Sequence, residues 1–129
     1  MKPPAIEQWH LVVQSPTGAG LDRLLAEDVV FQSPVVHTPQ VGKAITTKYL
    51  SAALKVLNNG SFHYLNEWIG ATSAVLEFEV TVDGIKINGV DMIEWNSANQ
   101  IVGFKVMVRP LKAINLLHQL MMRALQAPA

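Results

Sequence analysis

Residues 74–95, AVLEFEVTVDGIKINGVDMIEW, contain two alternating runs on either side of Asp83-Gly84. Apolar residues occupy every second position of the first run, which is the pattern of a strand with one buried face. An Asp-Gly pair between two such runs is a strong signal for a two-residue hairpin turn. This turn would pair Leu76 with Asp91 and bring both apolar sets to one face. The stretch therefore predicts a long antiparallel hairpin whose register agrees with its hydrophobic pattern.

Asp91 is the residue of this hairpin that needs a physical explanation. It shares one face of the second strand with Ile87, Ile93 and Trp95, although an uncompensated charge is costly among apolar side chains. Either a hydrogen-bonded structural role or a pocket would account for a carboxyl group at this place. The sequence favours a pocket.

The other segments predict helices before the hairpin and one helix after it. The patterns place helices from Pro4, at Leu21–Ala26, at Lys43–Leu57 and from Leu111 to about Leu125, and further strands at Val29–Gln32, Ser61–Ile69 and Ile101–Val108. Helices, then an antiparallel meander, then a helix define an α+β fold. We expect one domain, residues 1–129, with a curved sheet wrapped around the N-terminal helices. Its concave side would form a cone-shaped pocket with Asp91 pointing in.

The composition excludes several classes of function. The chain has 129 residues with ten acidic and ten basic side chains, so it carries no electrostatic footprint for nucleic acid or for an anionic membrane. It has no cysteine, which excludes disulfides and thiolate metal sites. No histidine pair has the helical spacing of a metal site, and we expect neither a metal nor a cofactor. The N-terminal residues lack the apolar core of a signal peptide, so a cytoplasmic protein is expected.

The order of elements, the Val90-Asp91 strand and the strand ending in Arg109-Pro110 resemble the nuclear transport factor-like superfamily. This group includes ketosteroid isomerases, scytalone dehydratase, limonene epoxide hydrolase and the SnoaL-like polyketide cyclases. The resemblance covers essentially the whole chain and implies their cone fold, a cystatin-like α+β barrel. It does not imply one activity, because this fold supports enzymes and binding modules alike.

The catalytic residues of these relatives transfer only in part. Ketosteroid isomerases use an aspartate base before a proline, a tyrosine on the first helix, and a neutral aspartic acid on a late strand. Asp91 matches the late-strand acid, but Ser33 stands at the base position before Pro34, and Trp9 at the tyrosine position. Serine is no unaided base at neutral pH, and indole is a weak donor. Limonene epoxide hydrolase has an arginine where this chain has Gly89. The usual form of either activity is therefore not expected.

Two hypotheses of function remain open. In the first, the protein is a cofactor-free isomerase, cyclase, dehydratase or hydrolase with Asp91 as general acid and His37 as base, since histidine titrates near neutrality. In the second, it is a non-catalytic binding or interaction domain in which Asp91 anchors a ligand or is structural. Any ligand is expected to be a hydrophobic, ring-containing small molecule, with the predicted binding residues Trp9, Ser33, Tyr49, Phe62, Trp68 and Phe104, whereas an interaction domain with a structural Asp91 would have a filled cavity.

The opposite face of the Asp91 strand bears on assembly. Val90 and Met92 interrupt a polar set formed by Lys86, Asn88 and Glu94. Mixed faces of this kind are typical of interfaces, and members of the resembled superfamily commonly dimerise through this sheet face. We therefore expect a homodimer.

Overall fold

A computed structural model describes residues 2–126. The elements in chain order are α1 (Pro4–Gln14), α2 (Leu21–Leu24), β1 (Leu25–Gln32), β2 (Gln40–Val41), α3 (Lys43–Leu57), β3 (His63–Ile69), β4 (Ser73–Val82), β5 (Ile85–Trp95), β6 (Ile101–Arg109) and α4 (Leu111–Gln126). The six strands form one curved sheet in the order β2-β1-β6-β5-β4-β3. Strands β1 and β6 run parallel, and the other neighbours are antiparallel. The predicted α+β class and curved sheet are confirmed.

The central hairpin has the register predicted by its turn. Leu76 pairs with Asp91 and Phe78 pairs with Gly89 across β4 and β5. At the turn, Asp83 and Gly84 have φ values of 50° and 76°. Left-handed backbone at both central positions matches the twist of the two strands, and Asn, Asp and Gly adopt it most readily. The turn chemistry and the pattern therefore select the same face for Asp91.

The start of the sheet differs from the prediction. The short helix α2 ends at Leu24, and β1 begins at Leu25, four residues before the predicted Val29. Glu27 and Asp28 are both exposed, which breaks the alternation where the register against β6 shifts. Strand β2 contains two residues, and it exists because Val30 and Phe31 of β1 supply its pairing partners. Neither feature has a local sequence signal.

The inner face of the sheet is covered by the helices. Helix α1 buries Ile6, Trp9 and Val12 in the larger core cluster, together with Leu76 and Ile93 of the hairpin. Helices α3 and α4 pack together through Ala52, Leu117 and Met121. Within residues 2–126, no helix is long and apolar enough to cross a membrane.

Candidate functional site

A cavity lies between the inner face of the sheet and the helices. Its volume is about 60 Å³, and its walls come from α1, α3, α4, the end of β1 with the segment after it, and strands β3 to β6. Most of the lining side chains are aliphatic or aromatic. The polar lining residues are Ser33, Asn58, Tyr64 and Asp91. Asp91 is therefore the one carboxyl group among the described residues that line this cavity.

Asp91 ends a chain of three hydrogen-bonded side chains from three different elements. The indole N–H of Trp9 on α1 donates to the hydroxyl oxygen of Tyr64 on β3 at 2.8 Å. The hydroxyl of Tyr64 then donates to Oδ2 of Asp91 at 2.6 Å. No group within residues 2–126 donates a side-chain hydrogen bond to Oδ1 of Asp91. One carboxyl oxygen is thus held by Tyr64, and the other has no side-chain hydrogen-bond donor among the described residues.

Burial determines the protonation of Asp91 and of Tyr64. Asp91 is 6% exposed, and burial raises the pKa of its carboxyl group to about 7, against the smaller opposing effect of the hydrogen bond from Tyr64. Burial also raises the pKa of the Tyr64 hydroxyl well above its ordinary value, and the neighbouring Asp91 charge adds to this effect. Near neutral pH, Tyr64 is therefore a neutral donor while Asp91 occurs in both its neutral and its ionised form.

Aromatic packing holds the walls around this chain. The ring of Trp9 meets Phe104 edge to face, with centroids 4.8 Å apart, and Phe62 stacks on Phe78 at 5.2 Å. Phe78 lies against Gly89, where an added Cβ would approach its Cζ atom to 2.6 Å and the carbonyl oxygen of Met107 to 2.7 Å. Any side chain at position 89 would clash with the Phe78 ring, so glycine fits this position.

A polar cluster outside the cavity ties α1 to the edge strand β3. Glu67 accepts a charged hydrogen bond from Lys2 at 3.0 Å, and its other oxygen lies 2.5 Å from Nε2 of His10. The pKa of Glu67 is lowered, because the hydrogen bonds from Lys2 and His10 outweigh the opposing effect of burial. The His10 ring also meets Tyr64 edge to face at 5.2 Å. This cluster supports the position of the Tyr64 ring.

Five of the predicted site residues surround the cavity: Trp9, Ser33, Phe62, Asp91 and Phe104. The Oγ of Ser33 accepts the backbone N–H of Val35 at 3.1 Å, and serine is not an unaided base at neutral pH. Its place in the wall is therefore clear, while a chemical role for it is not supported.

Three predicted residues lie elsewhere, and their assignment to the cavity needs correction. Trp68 pairs with Val75 on the outer face of the sheet and is 56% exposed. Tyr49 does not line the cavity itself but packs against the lining residue Phe31, with ring centroids 5.8 Å apart. His37 is exposed on the segment between β1 and β2 and lines a separate surface hollow. Since His37 does not line the cavity, it is not positioned as the base expected for Asp91.

Tyr64 is the site residue that the sequence analysis missed. A register irregularity between Tyr64 and Asn66 breaks the alternation of β3, so the pattern does not show which face Tyr64 takes. Tyr64 lies opposite the inward-facing Phe78 on β4, but this pairing is a property of the folded sheet that the sequence of β3 does not show. Among residues 2–126, no group of three His, Cys, Asp or Glu side chains could hold a metal ion.

Comparison with known structures gives the family. The chain is similar to a steroid delta-isomerase from Pseudomonas aeruginosa, with 35% identity over 94% of this chain and 88% of that chain, and a TM-score of 0.88. An uncharacterised protein with a cystatin-like fold from Silicibacter pomeroyi has 27% identity over 93% of this chain and 84% of its own, with a TM-score of 0.83. An NTF2-like protein of unknown function from Mesorhizobium loti shares the fold at 17% identity, covering 85% of this chain and 98% of that chain, with a TM-score of 0.65.

No family model matches this sequence, and no curated protein matches it either. The identity and coverage of the steroid delta-isomerase nevertheless define the class of protein. The chain belongs to the nuclear transport factor-like (SnoaL-like) superfamily. The resemblance seen in the order of elements is thereby confirmed.

Proposed function

We propose that this protein binds a small apolar molecule through a carbonyl or hydroxyl oxygen hydrogen-bonded to Asp91. The observation that carries the proposal is the asymmetric hydrogen bonding of the carboxyl group, in which Tyr64 occupies Oδ2 and Oδ1 is left without a donor among the described residues. A neutral carboxyl group donates to a ligand oxygen, and an ionised one accepts from a ligand hydroxyl. The surrounding walls are apolar, so the rest of the ligand is apolar as well.

The size of the cavity limits this ligand. Its volume of about 60 Å³ is well below the ~150 Å³ of an apolar cavity that holds benzene, and below the roughly 300–1,000 Å³ of drug-sized pockets. Leu54 and Met121 line the cavity, and methionine adapts readily because its side chain is unbranched. A molecule with a single ring is therefore the largest ligand that we expect to enter the cavity, and it would enter only if such side chains shift.

Calorimetric titration with 4-ethylphenol tests the proposal. We expect saturable binding to the wild type and about tenfold weaker binding to Asp91→Leu, which keeps the bulk but removes the hydrogen bond. Asp28→Asn is the matched control, since Asp28 is exposed on β1 and lines no part of the cavity. Equal affinity of Asp91→Leu and wild type would mean that Asp91 is structural.

An isomerase is the second candidate, and the pKa of Asp91 near 7 favours it. One carboxyl group that exchanges a proton near neutral pH can take a proton from a carbon beside a carbonyl and return it two carbons further along. This moves a carbon–carbon double bond into conjugation and consumes no co-reactant. The similar Pseudomonas aeruginosa protein is a steroid delta-isomerase, and the cavity volume argues here for a substrate much smaller than a steroid.

The conversion of cyclohex-3-en-1-one to its conjugated isomer tests this candidate, because the product absorbs in the ultraviolet. Asp91→Asn should abolish the conversion, whereas Asp28→Asn should retain the wild-type rate. A wild-type rate in Asp91→Asn would exclude the mechanism.

We also propose a homodimer formed through the outer face of the sheet. The outer patch consists of Trp68, Val75, Val90 and Met92, which neighbouring strands bring together on the face away from the cavity. Beside it, Glu77 accepts hydrogen bonds from Asn66 at 2.8 Å and Asn88 at 3.1 Å, and Arg109 donates to Asn88 at 2.8 Å. Protein interfaces typically combine an apolar core with a polar rim, and the outer patch and its polar neighbours have this composition.

A further inference from the structure

A second hollow lies outside the cavity and shares part of its wall. It has a volume of about 430 Å³ and is formed by β6 and by the segment between β1 and β2. Four residues line both this hollow and the cavity: Ser33, Pro34, Val106 and Val108. The two spaces are therefore separated by one layer of side chains.

The sheet is incomplete at this partition. Strand β1 pairs with β6 as far as Gln32 and Lys105, whereas β6 continues to Arg109. Beyond Lys105, the neighbour of β6 on this side is the segment from Ser33 onward and not a strand. A displacement of this segment would open the partition without breaking the ladder of hydrogen bonds between β1 and β6. The part of the wall between the Ser33-Pro34 segment and β6 is therefore suited to ligand entry.

The outer hollow is lined by basic and not by acidic side chains among the described residues. Lys105 and His37 line it, and no carboxyl group of the described residues does. Lys105 is partly buried and forms no ion pair in the part of the chain that the structure describes. The hollow adjoins the outer patch, because Lys105 pairs with Met92 and Met107 pairs with Val90 across β5 and β6, and it extends from there to the segment between β1 and β2.

We propose that the ligand of this protein is an amphipathic carboxylic acid, whose carboxylate is bound by Lys105 and His37 in the outer hollow. Its apolar body passes between the Ser33-Pro34 segment and the edge of β6, and its far oxygen reaches Asp91 in the cavity. The inference rests on the proposed binding function and adds the charged end of the ligand. Ammonium and guanidinium compounds are disfavoured, because they would meet the ammonium group of Lys105 at the entrance.

A pair of compounds that differ by one carboxylate tests the inference. The probes are 4-ethylphenol and 3-(4-hydroxyphenyl)propanoate, which share the phenol and the two-carbon arm. We expect the acid to bind the wild type about two- to fivefold more tightly, the range of a partly exposed ion pair, and this advantage to shrink at high salt. In Lys105→Gln the affinity ratio of acid to phenol should fall towards one. Lys112→Gln, which changes an exposed lysine of α4 that lines neither space, should keep the wild-type ratio.

The outcomes separate this inference from the function on which it rests. Binding of both compounds with equal affinity, or a ratio that Lys105→Gln leaves unchanged, overturns the carboxylate site and leaves the apolar binding function intact. Failure of both compounds to bind overturns the proposed function and this inference with it. A loss of acid binding in Lys112→Gln equal to that in Lys105→Gln would reduce the effect to the net charge of the protein and would also overturn the site.

Discussion

The hydroxyl of Tyr64 donates a hydrogen bond to Oδ2 of Asp91 over 2.6 Å, although the two residues are 27 positions apart. The first lies on the edge strand β3 and the second on β5, with β4 between them in the sheet. The inward faces of these strands converge on the cavity, and Trp9 adds a donor to Tyr64 from the helix above. This arrangement keeps the buried carboxyl group partly satisfied, and it leaves Oδ1 as the oxygen without a side-chain donor among the described residues.

Replacement of Asp91 by asparagine should change how stability depends on pH. The pKa of Asp91 rises from 3.8 to about 7 on folding. Between these values the folded protein holds a proton that the unfolded chain has lost, so the free energy of unfolding falls as pH rises, and it levels off above 7. The asparagine of Asp91→Asn does not titrate in this pH range, so the variant lacks this contribution to the pH dependence. We expect the stability of wild type relative to Asp91→Asn to decrease by roughly 2–3 kcal/mol from pH 5 to pH 8 in urea unfolding. A constant difference would show that Asp91 is ionised throughout.

Removal of the Tyr64 hydroxyl should raise the pKa of Asp91 further. The hydrogen bond from Tyr64 favours the ionised carboxylate, and Tyr64→Phe leaves only the effect of burial. The variant also leaves the Trp9 N–H without its acceptor, at a cost of about 1–2 kcal/mol in stability. A carbon-13 NMR titration of the Asp91 carboxyl group measures the shift. In Tyr49→Phe, whose hydroxyl has no side-chain partner within residues 2–126, the titration should match the wild type. An identical titration in Tyr64→Phe would contradict the assigned contact.

The two glycines of the central strands should respond differently to alanine. A Cβ at Gly89 would lie 2.6 Å from Cζ of Phe78 and 2.7 Å from a backbone oxygen, so Gly89→Ala should destabilise the protein by about 1–3 kcal/mol. At Gly103 the nearest atom is a flexible glutamate oxygen at 3.4 Å, and Gly103→Ala should be neutral or slightly stabilising. Thermal unfolding of both variants makes the comparison. Equal melting temperatures would mean that Phe78 does not pack against Gly89.

The proposed dimer should depend on the outer patch. Met92→Glu places a charge in the apolar part of this face and should convert a dimer to a monomer in light scattering after size-exclusion chromatography. Leu111→Glu is the control, because Leu111 is an apolar side chain that is 72% exposed on α4, away from the patch. A wild-type protein that elutes as a monomer at micromolar concentration would refute the dimer. An unchanged dimer in Met92→Glu would assign the interface to another surface.

The central hairpin and the inward direction of Asp91 could be predicted from the amino-acid sequence. Both follow from local rules, since a two-residue turn sets the register and alternation sets the face. Helix α3 was also predicted with its observed bounds, because its periodicity is long and glycine and asparagine residues flank it.

The tertiary structure alone decided which other groups meet Asp91. An irregularity in β3 turns Tyr64 inward and leaves Trp68 on the outer face, and neither direction has a local signal. The distance of His37 from the cavity and the thin wall beside β6 depend on where β1 ends against a strand about 70 positions later in the chain. Local spacing specifies the turn and the face of a strand, whereas contacts between distant strands depend on register, and register is a property of the assembled sheet.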